Sequence, residues 1–200
     1  MSINLLWIVV LVLAITSIGT MLVRDWRWLI IFLAIQYAGM FILVLQNWPT
    51  GMAAVKVIAG WMSAAILGMT RSNLIIEDES SPKDILPQGR FFRLIAASIV
   101  GLIVASGTPL VDNMMGDAGM AVTAGSLLLI GMGLLHLGVT DQILQVTVGL
   151  MTVLAGFEIL YTAVESSTLV AALLAAINLG LAMAGSYLMI ASNPQETEVQ

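Results

Sequence analysis

The feature that most constrains this chain is a series of long apolar runs separated by short polar breaks. A helix of about 20 apolar residues crosses a hydrocarbon core roughly 30 Å thick, and lipid offers no partners to backbone groups outside helices and closed barrels. A window of about 19 residues therefore predicts an all-α integral membrane protein. The seven predicted transmembrane helices cover residues 3–23, 28–47, 51–70, 92–109, 118–138, 142–163 and 168–190.

Composition agrees with this fold class and argues against several kinds of site. Of the 200 residues, 60% are hydrophobic and 10% are charged, unlike the balance of a soluble domain. The chain contains no cysteine and one histidine, so thiolate ligands are excluded and a bound haem or metal is not expected. A net charge of -5 gives no basis for nucleic-acid binding. We therefore expect no cofactor.

Basic residues predict the orientation of the helices. Six of the seven Lys and Arg residues fall in or beside the first and third predicted loops: Arg24, Arg27, Arg71, Lys83, Arg90 and Arg93. Odd-numbered loops share one side, which the positive-inside rule makes cytoplasmic. The N-terminus is thus predicted outside and the C-terminus in the cytoplasm. The third loop, residues 71–91, is predicted to separate a three-helix part, 1–70, from a four-helix part, 92–200.

The seventh basic residue, Lys56, lies inside the third predicted helix. A charge within a span costs roughly 2.5 to 3.5 kcal/mol, and such residues tend to face protein and to serve a function. Gly60, Ala64 and Gly68 follow Lys56 at i+4 spacing, so its helical face is a stripe of small residues that lets another helix approach closely. The alternative interpretation is that Lys56 snorkels to the nearby outer interface.

Glu158 interrupts the apolar run GLMTVLAGFEILYTAV in the sixth predicted helix. A carboxylate has a short stem and snorkels poorly, so a proton relay or an ion-pair partner is favoured over a neutral structural role. Glu158 and Lys56 each lie about five residues, or roughly 8 Å, below the outer surface. We hypothesise that they face each other as a charge-coupling pair, provided that the third and sixth helices are neighbours.

Other polar residues within or beside the spans are weaker candidates for a functional role. Asn178 lies in mid-membrane and is predicted to hydrogen-bond across helices as a packing residue. It shares its face with small residues: Ala171, Ala175, Ala182 and Gly185. Gln36, in the second helix, is predicted to bond a neighbouring helix, with water binding in a proton path as the alternative. His136 and Asp141 flank the fifth loop and are candidates for a proton access point at the cytoplasmic edge.

The helix layout resembles a known family. The last three predicted helices, from GMAVTAGSLLL to AMAGSYLM, resemble the K-type subunit of complex I and of cation antiporters. The whole chain, with Gln36 in the second helix and Lys56 in the third, is similar to component E of hydrogenase-4-type membrane complexes. The resemblance implies a cofactor-free inner-membrane subunit beside antiporter-like subunits, with buried carboxylates that relay protons during redox-driven pumping.

The residues match the family pattern only in part. K-type subunits carry a glutamate in the second and the third helix of this unit. Here Glu158 lies up to two turns later than the first of those positions, for which Met151 is the other candidate. Asn178 stands where the second carboxylate is expected. Asparagine cannot ionise, which puts a relay of two carboxylates in question.

From these features we expect a non-catalytic integral membrane subunit of a redox-driven proton- or ion-translocating complex in the cell inner membrane. Its expected partners are other membrane subunits, antiporter-like ones among them, and lipids. The candidates for proton transfer or charge coupling are Glu158, Lys56, Gln36 and His136. The main alternative is a structural subunit that scaffolds another large respiratory or photosynthetic complex. A stand-alone transporter is less favoured, because no inverted repeat or pair of broken helices is evident.

Overall fold

The computed structural model describes residues 3–23, 25–74, 89–116 and 119–192. Of these described residues, 88% are helical, and they form seven helices and no strand. The helices are α1 (Ile3–Leu22), α2 (Trp26–Val44), α3 (Thr50–Asn73), α4 (Arg90–Met114), α5 (Met120–Gly138), α6 (Ile143–Val164) and α7 (Thr168–Ala191).

The predicted all-α fold with seven long apolar helices is confirmed for the described residues. Each of the seven helices is long and apolar enough to cross a membrane, which fits a multi-pass membrane protein. The predicted third loop lies largely outside the described residues, at 75–88, and the last residues of the sequence, 193–200, lie outside them as well. The orientation of the termini stays a prediction.

The predicted end of the fourth helix at residue 109 is wrong. Helix α4 contains Pro109 and continues to Met114. A proline in a helix removes one backbone hydrogen bond, but membrane helices tolerate it where neighbouring groups hold the chain. Here Asp112 is buried and accepts a hydrogen bond of 2.8 Å from the Thr123 hydroxyl of α5. This contact joins the last turn of α4 to the next helix. The rule that a helix ends near a proline considers only residues adjacent in sequence, so it does not include such a contact.

Two hydrogen bonds define the ends of the bundle. At one end, hereafter the Trp48 end, the Trp48 indole N–H donates to the Glu165 carbonyl at 2.9 Å and joins the α2–α3 connection to the α6–α7 connection. At the opposite end, hereafter the Arg93 end, the Arg93 guanidinium donates to the Met21 carbonyl at 2.7 Å. The start of α4 therefore lies beside the end of α1, as expected if the first and third loops share one side.

Helix α6 lies inside the bundle, whereas α4 lies at its edge. Helix α6 packs against α2, α5 and α7. Its approach to α5 is close at Gly156, where an added Cβ would stand 2.7 Å from the Ser126 carbonyl oxygen. In contrast, α4 packs mainly on α5 and leaves apolar side chains such as Leu102 and Ile103 exposed. An exposed apolar face of this kind suits contact with lipid.

Candidate charge-coupling site

Lys56 and Glu158 form an ion pair inside the bundle. The Lys56 Nζ atom lies 3.0 Å from Glu158 Oε1, and both side chains are 0% exposed. Lys56 extends from the second turn of α3, and Glu158 from the second half of α6. The hypothesised contact between the two residues is therefore confirmed. The Lys56 side chain does not extend to the interface, so the snorkelling alternative is wrong.

Small residues on α3 position the lysine. Gly60, one turn after Lys56, lies directly against Tyr37 of α2, and an added Cβ on Gly60 would stand 2.2 Å from Tyr37 Cδ1. Ala64, the next member of the predicted stripe, is buried, and Gly68 is half-buried near Ile30. The stripe is thus a close-packing surface along most of its length, and it turns Lys56 toward protein instead of lipid.

The energetics of such a pair favour a role beyond packing. Burying two charges costs several kcal/mol per ion, and their attraction offsets that cost only with good geometry and further hydrogen bonds. Removing one partner of a buried pair typically costs about 3 to 5 kcal/mol, whereas replacing both with apolar side chains of similar volume is often neutral or stabilising. Helix α3 packs mainly on α2 and α7, so the contact of Lys56 with Glu158 joins α3 to a helix on which it does not pack closely. Stability alone therefore does not explain the two charges.

One oxygen of the Glu158 carboxylate lacks an internal partner. Oε1 accepts the hydrogen bond from Lys56, but Oε2 is buried and has no hydrogen-bond partner among the described residues. Buried polar atoms in folded proteins nearly always find a protein group or an ordered water. This oxygen can therefore still accept a hydrogen bond or a proton.

A second polar contact links α2 to α7 next to this pair. The Tyr37 hydroxyl donates a hydrogen bond of 2.7 Å to Asn178 Oδ1, and both side chains are fully buried. The predicted interhelical hydrogen bond of Asn178 is confirmed, and its partner is Tyr37. The small residues predicted to share the Asn178 face are all buried: Ala171, Ala175, Ala182 and Gly185. Tyr37 therefore contacts both Gly60 on α3 and Asn178 on α7.

Gln36 forms a separate cluster nearer the middle of the bundle. Its Nε2 atom donates to Ser17 Oγ of α1 at 3.1 Å, and its Oε1 atom lies 3.1 Å from Thr152 Oγ1 of α6. The Thr152 hydroxyl also lies 2.8 Å from the Val148 carbonyl, so one proton faces two acceptors. The predicted bond from Gln36 to a neighbouring helix is confirmed, and it reaches two helices.

His136 does not join the ion pair. It lies in the last turn of α5 at the Arg93 end, whereas Lys56 and Glu158 lie toward the Trp48 end. Its ring packs against Gly149 of α6, it is 4% exposed, and Nε2 has no partner among the described residues. The side chain of His136 is thus buried and not open to the interface, whereas that of Asp141 is exposed.

Sequence reasoning missed three residues that the structure places around the site. Tyr37 stands directly after Gln36 but faces α3 and α7, and no pattern in the sequence shows those contacts. Thr152 and Thr162 are isolated hydroxyls in α6, on either side of Glu158 along the helix. Thr162 follows Glu158 at i+4 spacing and so shares its helical face, which is the one signal in the sequence that points to it.

Comparisons with known proteins find no match: no protein-family model, curated protein or solved structure matches the chain. The likeness to K-type subunits and to component E of hydrogenase-4-type complexes therefore stays a resemblance in helix layout and in a few polar positions.

Proposed function

We propose that this chain is a non-catalytic membrane subunit of a multisubunit proton- or ion-translocating complex, in which the Lys56–Glu158 pair couples charge movement to the rest of the assembly. The observation that carries the proposal is an ion pair that is wholly buried among apolar helices and has one unpartnered carboxylate oxygen. Ionisable residues within membrane spans commonly mark proton relays and ion pathways.

The pair links two charge states. When Glu158 is ionised, Lys56 compensates its charge across 3.0 Å. When Glu158 takes up a proton, Lys56 loses its counter-charge and an uncompensated ammonium remains in the bundle, which is costly. Lys56 then favours either releasing its own proton or attracting a negative charge from elsewhere in the complex. Proton uptake at Glu158 is in this way coupled to the charge around α3.

We further propose an inner-membrane location with the Trp48 end outside. Four arginines within the described residues lie in or beside connections at the Arg93 end: Arg27, Arg71, Arg90 and Arg93. The connections at the Trp48 end contain no Lys or Arg in the sequence. The positive-inside rule assigns the arginine-rich end to the cytoplasm.

The scaffold alternative predicts a different response to neutralising Glu158. The contacts of Gln36 and Asn178 are neutral hydrogen bonds that hold helices together without any ionisation. If the Lys56–Glu158 pair has the same purpose, then Glu158→Gln would affect assembly alone.

The test uses the complex as it is isolated. The tagged chain is purified from its native membranes in mild detergent, and the co-purifying chains are identified. The complex is then reconstituted in liposomes, and proton translocation is followed with a pH-sensitive dye. We expect antiporter-like subunits to co-purify. We also expect Glu158→Gln to lower the rate of translocation at least about tenfold, which is less than the full rate enhancement that a positioned proton-transfer group typically contributes.

The matched control is Asp25→Asn. Asp25 is an exposed carboxylate that caps α2 by accepting from the Arg27 backbone N–H, and asparagine caps helices equally well. It should leave translocation unchanged. Full translocation by an intact Glu158→Gln complex would rule out the charge-coupling role and favour the scaffold.

A further inference from the structure

An open polar pocket lies at the Trp48 end of the bundle, beyond the ion pair along α6. Its lining comes from the end of α6, the α6–α7 connection and the α2–α3 connection: Asn47, Thr162, Ala163, Val164, Glu165 and Ser166. Most of these residues are exposed or half-buried, but Thr162 is 4% exposed. Thr162 therefore forms the inner wall of the pocket.

Thr162 connects this pocket to Glu158. It stands one helical turn after Glu158, about 6 Å along the α6 axis and on the same helical face. Its hydroxyl donates to the Ile159 carbonyl at 2.7 Å, which leaves the oxygen able to accept a hydrogen bond. Glu158 Oε2, which has no partner among the described residues, is the third polar element, after the pocket and the Thr162 hydroxyl. A single water between the two side chains would join them.

The opposite direction along α6 is longer. Fifteen residues of α6, about 23 Å, precede Glu158 toward the Arg93 end, whereas six residues, about 9 Å, follow it toward the Trp48 end. Buried polar groups do lie in that direction: Ser63, two turns after Lys56 on α3, whose hydroxyl has no partner among the described residues, and Gln36 with Thr152, about 9 Å from Glu158 along the helix. Both polar ends of Gln36 are already engaged by Ser17 and Thr152. The pocket at the Trp48 end is thus the shorter of the two approaches to the ion pair.

From this asymmetry we infer that Glu158 exchanges protons with the aqueous phase at the Trp48 end, through the pocket and past Thr162. The inference rests on the proposed function, and it specifies the side of the membrane with which the pair communicates. In the step, a hydronium ion at the pocket gives a proton to the water beside Thr162, that water passes one of its own protons to Glu158 Oε2, and release runs through the same transfers in reverse. No other bond is made or broken.

Trp48 and Tyr161 pack next to residues that line the pocket. The Trp48 indole holds the Glu165 carbonyl, and its ring meets that of Tyr161 edge-on with the centroids 6.4 Å apart. Trp48 is 3% exposed although it lies in a connection between helices. The Trp48 contact therefore holds Glu165, one of the residues that line the pocket.

The test uses single cysteines, because the chain has none of its own. The full chain is reconstituted in liposomes, and a membrane-impermeant, positively charged methanethiosulfonate is added from one side at a time. Asn113→Cys, in an exposed position near the end of α4, marks the Trp48-end side. From that side Thr162→Cys should react roughly tenfold or more faster than Thr147→Cys, since these reagents attack a solvated thiolate. Thr147 is the matched control, a threonine of α6 that is 5% exposed and close to the Arg93 end.

A second pair of variants tests whether the route reaches the carboxylate position. Glu158→Cys is combined with Lys56→Met, so that no lone lysine charge remains in the bundle. Its thiol should react from the Trp48-end side, and an added Thr162→Leu should slow that reaction roughly tenfold, while an added Thr147→Leu should not. If the Glu158→Cys variant does not fold, the comparison of Thr162→Cys with Thr147→Cys decides alone.

Three results would overturn the inference: reaction of the Glu158→Cys thiol only from the Arg93-end side, no slowing by Thr162→Leu, or no reaction of Thr162→Cys from the Trp48-end side. None of them bears on whether Glu158→Gln stops translocation, so the failure of this route and the failure of the proposed function are separate outcomes.

Discussion

Two of the buried polar clusters that bridge helices in this protein differ in charge and in completeness. The Ser17–Gln36–Thr152 cluster is neutral, and each polar end of Gln36 has a partner. The Lys56–Glu158 pair is charged, and one carboxylate oxygen has no partner among the described residues. A satisfied neutral cluster stabilises a single arrangement, whereas a charged and incomplete one has room for a change of protonation.

The difference separates two uses of polar residues in a membrane. Neutral side chains such as Gln36 and Asn178 add modest interhelical hydrogen bonds, on average about 0.6 kcal/mol each. Lys56 and Glu158 depend on one another far more strongly, since each is the only described compensation for the other's buried charge. Substitutions should therefore affect the two clusters by clearly different amounts.

The largest expected effect is that of Lys56→Met. It leaves the Glu158 carboxylate buried without its counter-charge, and loss of one partner of a buried pair costs about 3 to 5 kcal/mol of unfolding free energy. Thermal unfolding of the purified chain in detergent measures the change. Arg71→Met, which removes a partly exposed cation from the last turn of the same helix, is the control and should have little effect. Equal melting of Lys56→Met and Arg71→Met would show that the pair is not coupled.

The next effect is that of Gly60→Ala. The added methyl would stand 2.2 Å from Tyr37 Cδ1, so the buried ring must move and weaken its hydrogen bond to Asn178. Overpacking of this kind costs about 1 to 3 kcal/mol. Gly180→Ala is the matched control, because nothing lies within 4 Å of the position of its added Cβ. If Gly60→Ala were as stable as Gly180→Ala, the close approach of α2 and α3 at this point would be wrong.

Asn178→Leu should weaken assembly of the complex more than it alters translocation per assembled complex. It replaces a small hydrogen-bonding side chain with a bulky one on a buried stripe of small residues, so the steric cost exceeds the roughly 0.6 kcal/mol of the lost bond. Native gel analysis beside a translocation assay separates the two quantities. Ile177→Leu, at an exposed apolar position, serves as the control. Normal assembly with abolished translocation would contradict the packing role.

Gln36→Leu should have the smallest effect, about 0.5 to 1.5 kcal/mol, because it removes two neutral hydrogen bonds and keeps the side-chain volume similar. Melting in detergent, with Ile35→Leu for comparison, is sufficient to measure it. A loss as large as that of Lys56→Met would erase the distinction between the neutral and charged clusters.

Much of the fold follows from local sequence, because a membrane helix is specified by the length and polarity of its own run. Six of the seven predicted helices lie close to the observed ones. The exception is α4, in which the contact between Asp112 and Thr123 extends the helix beyond Pro109. That contact joins two helices, whereas a hydropathy window covers the residues of one helix only.

The candidate site was predictable in part for the same reason. Equal depth and opposite charge made Lys56 and Glu158 the candidate pair, since both follow from counting residues along a helix, but whether the third and sixth helices come within reach of each other does not. The contacts of Tyr37 with Gly60 and Asn178 depend on which helices are neighbours, and so does the pocket beside Thr162. Sequence periodicity gives the face of a residue but not the helix that meets it.

The most direct test of the central claim is a double-mutant cycle on Lys56→Met and Glu158→Gln, with the free energy of unfolding measured for each variant and for the combination. If the two residues form one charged unit, each single substitution destabilises the chain and the double variant recovers at least part of the loss. Independent sites add to within about 0.5 kcal/mol. Losses that add within that limit would contradict the account.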